Sequence, residues 1–376
     1  MSVTEINQPT SVHETHESRD SAASVRTAGA GQPPIARPRV SIGMPVRNGQ
    51  KYIREAIESI QAQTFKDWEL IVCDNASSDA TEQIVREYAS RDPRVRYHRN
   101  IQDIGPAANH NIGFELSRGE YFRWHAHDDM IAPTYLEECV KALDADPTIA
   151  CAYPRTKIID DKSQHIGDYD FKLKTDTGSA AGRFARLVLV SHRRHRAVEI
   201  FGLMRSSFLR QTPLEGAYAR GDSVLLAHMA LFGRYVELEP RLFLSRSHPS
   251  QSMQQLPSRL RSAAGKALIS RYLGTGPLPP PEWWDARYKN RITFPEWRVM
   301  REYWRAVCQS RHLNLLERLK CHGVMCCWVL LNLHKLARDV IVAIEQSATN
   351  AFHRLPPVAA GVVDDDEDDI KAPKSA

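Results

Sequence analysis

From Val40 onward, short apolar runs alternate with stretches whose apolar residues recur at helical spacing, and this alternation limits the fold more than any other feature. Val40–Val46 reads as a strand. Ile53, Ala56, Ile57 and Ile60 then fall at i, i+3, i+4 and i+7, one face of a helix. Strands are expected at 68–73, 95–98, 120–125 and 149–153. Helices are expected at 79–90, 106–116 and 133–143, the last opened by Pro133 at its first position. Such alternation predicts a parallel sheet wrapped by helices. In sheets of that kind ligands bind beyond the carboxyl ends of the strands. The segments to watch are therefore 45–48, 74–79, 100–105 and 126–129, which are polar, Gly-bearing or acidic.

The rest of the chain is less regular. Residues 1–38 are rich in Ser, Thr, Glu, Gly and Pro and read as a disordered lead-in. Residues 160–200 are polar and contain the basic run His192-Arg193-Arg194-His195-Arg196. A helical pattern returns at 222–232, and 274–282 is a Gly/Pro breaker. Residues 285–355 read as helical and rich in Trp, Leu and Arg, and 356–376 as a disordered acidic tail. The expected organisation is thus a disordered segment (1–38), an α/β domain (39–255), a basic helical region (256–355) and the tail (356–376). Cys73, Cys139 and Cys151 sit in apolar runs, as small hydrophobes do, and Cys321, Cys326 and Cys327 form no paired zinc pattern. No secretory h-region is visible, which points to a reduced cytosol.

The segment VSIGMPVRNGQKYIREAIESIQAQTFKDWELIVCDNASSDAT, followed by NIQDIGPAANHNIGFELSRGEYFRWHAHDDMIAPTYLE, resembles the family 2 glycosyltransferases. A weaker continuation lies at 221–252. The resemblance implies a GT-A (Rossmann-like) fold, with a mostly parallel sheet flanked by helices and here a helical C-terminal extension. It implies an inverting transferase that moves a sugar from a nucleotide-diphosphate donor, usually with a divalent metal (Mg2+ or Mn2+). The expected partners are a nucleotide-sugar donor and a glycan or lipid-linked acceptor, and the usual setting is polysaccharide or cell-surface glycan assembly.

Chemistry asks for the same parts. Departure of a diphosphate needs electrostatic stabilisation, most simply by a divalent cation held by few carboxylates. The acceptor hydroxyl needs a base. By resemblance, Pro45, Val46, Arg47 and Asn48 contact the nucleotide, although the family often has an aromatic where Arg47 stands. Asp74 would accept hydrogen bonds from base or ribose, with a turn or helix-capping role as the structural alternative. Gly105 and Ala107 would let backbone approach the base, or merely start a helix. Asn111 reads equally well as a packing amide. The family's Asp-x-Asp is here Ala126-His127-Asp128-Asp129, so its first acid is missing. Asp128 maps to the carboxylate used for metal and nucleotide, Asp129 and His248 are further metal candidates, and Arg246 is a candidate phosphate clamp. Asp222 maps to the general base, with Gly221 where an acid commonly precedes it; an N-cap is the alternative.

The chain carries 50 Lys+Arg against 45 Asp+Glu, and the excess is concentrated: residues 256–360 hold 16 basic residues against 7 acidic ones. A basic helical region containing the apolar stretch 324–333, too short for a bilayer span, suggests docking on an anionic membrane surface at the inner face. Nucleic acid is not an expected partner, because interleaved surface aromatics and binding motifs are absent. A catalytically weak sugar-nucleotide-binding module is the alternative, motivated by Ala126 and Gly221. A nucleotidyltransferase fits poorly, since Met44-Pro45-Val46-Arg47-Asn48-Gly49 is no Gly-rich phosphate loop.

Overall fold

A computed structural model describes residues 37–191, 195–249, 251, 281–288 and 291–352. The expected lead-in up to residue 36, the 255/256 boundary, the acidic tail and residues 192–194 of the basic run lie outside the described residues.

The first strands are β1 (Val40–Val46), β2 (Trp68–Asp74), β3 (Val95–Arg99) and β4 (Tyr121–Trp124). They alternate with α1 (Ile53–Gln61), α2 (Thr81–Arg91) and α3 (Pro106–Glu115), and all four are parallel in the order β3-β2-β1-β4. β1 and β2 are buried along nearly their whole length, as a sheet covered on both faces requires. Val46 and Arg99 both pair with Asp74, so the first three strands end level. That common end is the rim on which the candidate residues sit. At the opposite end, burial pushes the Glu69 carboxyl up, but Arg118, Ser41 and Arg96 hold it below the usual range.

Beyond β4 the sheet changes character. After β5 (Met130–Ile131) and α4 (Tyr135–Ala145) come β6 (Ile149–Ile159), β7 (His165–Tyr169), α5 (Ala180–Val188), β8 (Leu203–Arg205), α6 (Ser206–Leu209), α7 (Gly221–Phe232) and β9 (Arg234–Arg246). The expected fifth strand does not join β4. The short β8 lies between β4 and β6, antiparallel to both, and β6 pairs parallel with β9. Pro133 precedes the N-cap Thr134 rather than opening α4.

The C-terminal helices are α8 (Pro281–Trp284), α9 (Pro295–Gln309) and α10 (Leu315–Phe352). Val299, Tyr303, Met325 and Trp328 share one hydrophobic cluster with Phe184 of α5 and Leu225 of α7. The helical C-terminal region therefore packs against the same core as the α/β sheet. No helix among the described residues is long and apolar enough to cross a membrane. All seven cysteines are free, and Cys73, Cys139 and Cys151 are buried in the sheet core.

Candidate active site

The β1–α1 and β2–α2 loops are stitched together. Asn48 has φ 55°, and its N–H donates to Ser77 Oγ while its side-chain oxygen accepts from the Ser78 N–H. Asn's tolerance of the left-handed region allows this bend. The Gly49 N–H donates to Thr81 Oγ1, and a Cβ at Gly49 would lie 2.7 Å from the His127 ring, so the β4 loop closes over this turn. The N-cap of α2 is Ala80, and Asp79 just before it accepts from the Thr81 N–H, closing the turn that leads into the helix rather than capping it.

Asp74 is fully buried at the end of β2. One oxygen accepts from the Ser77 N–H at 2.8 Å, the other from Tyr97 Oη at 2.5 Å and Arg99 Nη1 at 2.8 Å. Its carboxylate thus shapes the rim through protein partners. Pro45 and Val46 end β1; Arg47 reaches across the mouth to Asp103 at 2.6 Å, both side chains substantially exposed. Gly105 has φ 85° at the N-cap of α3, and the Trp284 carbonyl lies 3.0 Å from where its Cβ would be. Ala107 is buried in the first turn of α3.

The acidic pair after β4 divides its work. The side chain of Asp128 is partly exposed, and its Oδ2 lies 3.0 Å from His248 Nε2. The other ring nitrogen of His248 is buried without a hydrogen-bond partner, and the ring lies against Tyr52 at 4.6 Å. Asp129 instead turns inward and accepts from the Arg246 N–H at 2.8 Å, with burial and the adjacent Asp128 charge raising its pKa. It pins β9 to the acidic loop. Arg246 is buried, donating to the Asp128 carbonyl, the Asp160 carbonyl, Ser163 Oγ and Glu55 Oε2. All those partners are within the protein, so Arg246 braces the loop and offers no free fork for phosphate. His125 is buried and burial lowers its pKa, while His127 packs on Gly49. His195 faces the buried Glu199 at 2.7 Å, away from solvent.

Asp128 and His248 together offer a carboxylate and an imidazole at one point. Among the described residues no group of three or more His, Cys, Asp or Glu side chains is arranged to hold a metal ion. The donor set fits a divalent cation only where diphosphate oxygens supply most of its shell, the ordinary situation for Mg2+.

Asp222 sits at the N-terminus of α7, partly exposed, with one oxygen 2.7 Å from the Ser223 N–H. Burial and then the Glu215 charge raise its pKa, and the His110 charge opposes them. Glu215 Oε2 lies 3.0 Å from His110 Nδ1. Asn111 and Glu215 exchange two hydrogen bonds, side-chain amide to backbone, at 2.9 and 3.1 Å. Asn111 is thus the packing amide that joins α3 to the Asp222 loop. The Trp124 indole donates to the His110 carbonyl, tying the end of β4 to the same cluster. Sequence reasoning missed His110 and Glu215. They lie 105 positions apart; His110 falls inside the segment that carries the resemblance and Glu215 outside it, and no spacing pairs them. The fold therefore ties the end of β4 and the Asp222 loop to α3, while the Asp128–His248 pair sits beside Tyr52 and Arg246.

Residues 41–211 match the sequence model of the glycosyl transferase family 2. An uncharacterized glycosyltransferase of Rickettsia typhi is 38% identical over 133 residues, covering 34% of this chain and 40% of that protein. Chondroitin synthase of Escherichia coli is 35% identical over 132 residues, 35% of this chain and 19% of the synthase. The match thus spans less than half the length of either relative. Among solved structures, Staphylococcus aureus TarS 1-349 in complex with UDP-GlcNAc aligns with TM-score 0.49 and 14% identity, over 84% of this chain and 92% of that one. The segment that carries the rim, the acidic pair and the sheet up to α6 is thus the part of this chain that matches glycosyl transferase family 2.

Proposed function

We propose that this chain is an inverting glycosyltransferase that moves a sugar from a nucleotide-diphosphate donor to a hydroxyl of a glycan or lipid-linked acceptor, in polysaccharide or cell-surface glycan assembly. The observation that carries this reading is the convergence of Asp222 and the β1–β4 rim on α3, through the His110–Glu215 pair and the Trp124–His110 hydrogen bond. The rim loops 45–48 and 103–107 receive the nucleotide, with Arg47 at the mouth and Gly105 opening backbone space. Asp74 acts on the nucleotide side chiefly by holding Tyr97, Arg99 and the 74–77 turn in place. Asp222 takes the proton of the acceptor hydroxyl. The hydroxyl oxygen attacks the anomeric carbon from the face opposite the diphosphate, whose bond to that carbon breaks with the electron pair leaving on the diphosphate oxygen. A raised pKa suits a carboxylate that must take up a proton near neutral pH.

Asp128 and His248 would hold a divalent cation, Mg2+ or Mn2+, and Asp129 would keep their loop in place from within. When bound, the cation neutralises the departing diphosphate. The test is transfer and hydrolysis across a panel of nucleotide sugars with Mn2+ or Mg2+. Asp128→Ala is expected to abolish metal-dependent turnover with the fold kept, and Asp222→Asn to abolish transfer while donor binding survives. Full activity in Asp128→Ala would remove the site assignment. Donor binding without turnover in the parent, unchanged in Asp222→Asn, would favour a binding module.

A surface reading accompanies this one at α10. Leu315, Leu319, Leu330, Leu333 and Ile344 are all more than half exposed and fall on one side of the helix, opposite the buried Cys321, Met325 and Trp328. With the basic excess of 256–360, this favours docking on an anionic membrane surface. Flotation with vesicles of anionic lipid should be lost in Leu330→Glu/Leu333→Glu. Undiminished flotation of that variant would refute it.

A further inference from the structure

A cavity of about 480 Å³ opens beside the Asp222 loop and belongs to none of the roles above. One wall is 217–219, the stretch between Glu215 and Asp222. The others are Trp284 of α8, Tyr288, and the start of α9 with Phe294, Trp297 and Arg298. Its size is in the range of small-molecule sites, roughly 300–1,000 Å³. It also adjoins the donor side, because the Trp284 carbonyl abuts Gly105 in the β3–α3 loop.

The lining has a definite chemistry. Phe294 and Trp297 are each about two-fifths exposed, which offers flat apolar faces. The Arg298 guanidinium lies over the rings of Tyr218 and Tyr288, 4.6 and 5.2 Å from their centroids. Aromatic packing on that planar group holds its orientation and leaves its N–H donors to an incoming partner. No carboxylate among the described residues bonds to it; the neighbouring Asp285 is taken by Arg287 at 2.8 Å. Arg298 Nε and Trp284 Nε1 are both buried with no acceptor, although buried donors are almost always paired. An Arg298 guanidinium with no carboxylate partner among the described residues and flat aromatic faces in one cavity call for a ligand with a C–H-rich face and an oxyanion.

We infer that this cavity is the acceptor subsite, and that it takes a sugar unit bearing a carboxylate or phosphate. The sugar ring lies on the aromatic faces, and the oxyanion meets Arg298, with the Trp284 N–H as a second donor. The inference rests on the transferase reading for the word acceptor; the binding chemistry does not depend on it.

Isothermal titration of the full chain tests it with three probes: a glucuronate-containing tetrasaccharide, its carboxyl methyl ester, and glucose 6-phosphate. The acid or the phosphate is expected to bind, which separates the two oxyanion sources, and the ester at least about tenfold more weakly than the acid. Arg298→Met should lower oxyanion affinity at least about tenfold. Phe294→Ala, at a ring about two-fifths exposed, should lower it several-fold. No heat from either oxyanion up to millimolar concentration would overturn the inference. So would equal binding of acid and ester, or unchanged affinity in both variants. UDP, GDP, ADP, CDP and dTDP are titrated separately: oxyanion binding with none of these diphosphates bound sinks the transferase reading alone, and diphosphate binding without oxyanion binding sinks this one alone.

Discussion

The loop that presents Asp222 is held by one ion pair from the C-terminal helices. Arg220, at φ 67° and two residues before Asp222, grips Glu296 with both guanidinium nitrogens at 3.0 and 2.9 Å. The Glu296 side chain is only 2% exposed and that of Arg220 16%. The Glu296 N–H in turn donates to Asp339 on α10 at 2.7 Å. Arg220→Met removes the fork and strands a buried carboxylate, to which Arg338, at 3.8 Å, is the remaining cation among the described residues. Removing one partner of a buried pair typically costs about 3–5 kcal/mol. Partial exposure of Arg220 and the residual Arg338 place this case near the lower end, at about 3 kcal/mol. Glu296→Met strands the more accessible partner, and about 1–2 kcal/mol is expected. The double variant replaces the pair by apolar side chains and should cost less than Arg220→Met alone. Urea unfolding of the four proteins, followed by circular dichroism, measures the cycle. A cost below about 1 kcal/mol for Arg220→Met, or a double variant equal to the sum of the singles, would refute the argument that a desolvated charge pair fixes this loop.

Three further outcomes are expected. Because burial and the Glu215 charge raise the Asp222 pKa, the acid limb of kcat/KM should lie above the ordinary aspartate value of 3.8, with activity falling as pH drops through it. Glu215→Gln should move that limb downward, and a limb that stays put or rises in pH-rate profiles would contradict the assignment. Arg246→Met leaves the Asp128 carbonyl without its Arg246 donor and removes the cation that pairs with Glu55, and should cost about 3 kcal/mol or more, read by thermal or urea unfolding. Gly105→Ala places a side chain at φ 85° with its Cβ 3.0 Å from the Trp284 carbonyl, and should destabilise by about 1–2 kcal/mol while weakening UDP binding. Unchanged UDP affinity there would detach the α3 loop from the nucleotide.

Elements whose reason is local were legible in the chain. β1 runs over the residues its apolar run predicts, and β2, β3, α1 and α3 are recovered to within a residue or so. Exceptions also have local causes: Pro133, expected at the first position of α4, lies before its N-cap Thr134. β8 eluded the reading because a three-residue strand has too short a period to register. The site was legible as a set of positions more than as a set of partners. Asp128, Asp222 and His248 stood out by motif. Arg246 and Asp129, read as clamp and metal ligand, show inward bonds to Asp128, Asp160 and each other's loop that no spacing announces. His195 of the basic run likewise makes a buried contact with Glu199 that its sequence setting does not announce.

Sequence alone determined what depends on residues close along the chain: the strand and helix periods, the polar rim at the strand ends, and the family signature in 41–211. Tertiary structure decided which charges face each other. His110 with Glu215, Arg220 with Glu296, and Asp128 with His248 are separated by 76 to 120 positions, and the folded backbone brings each pair to 3.0 Å or closer. Desolvation makes those meetings matter, because a carboxylate removed from water must find its partner in the protein, and only packing fixes which partner is within reach.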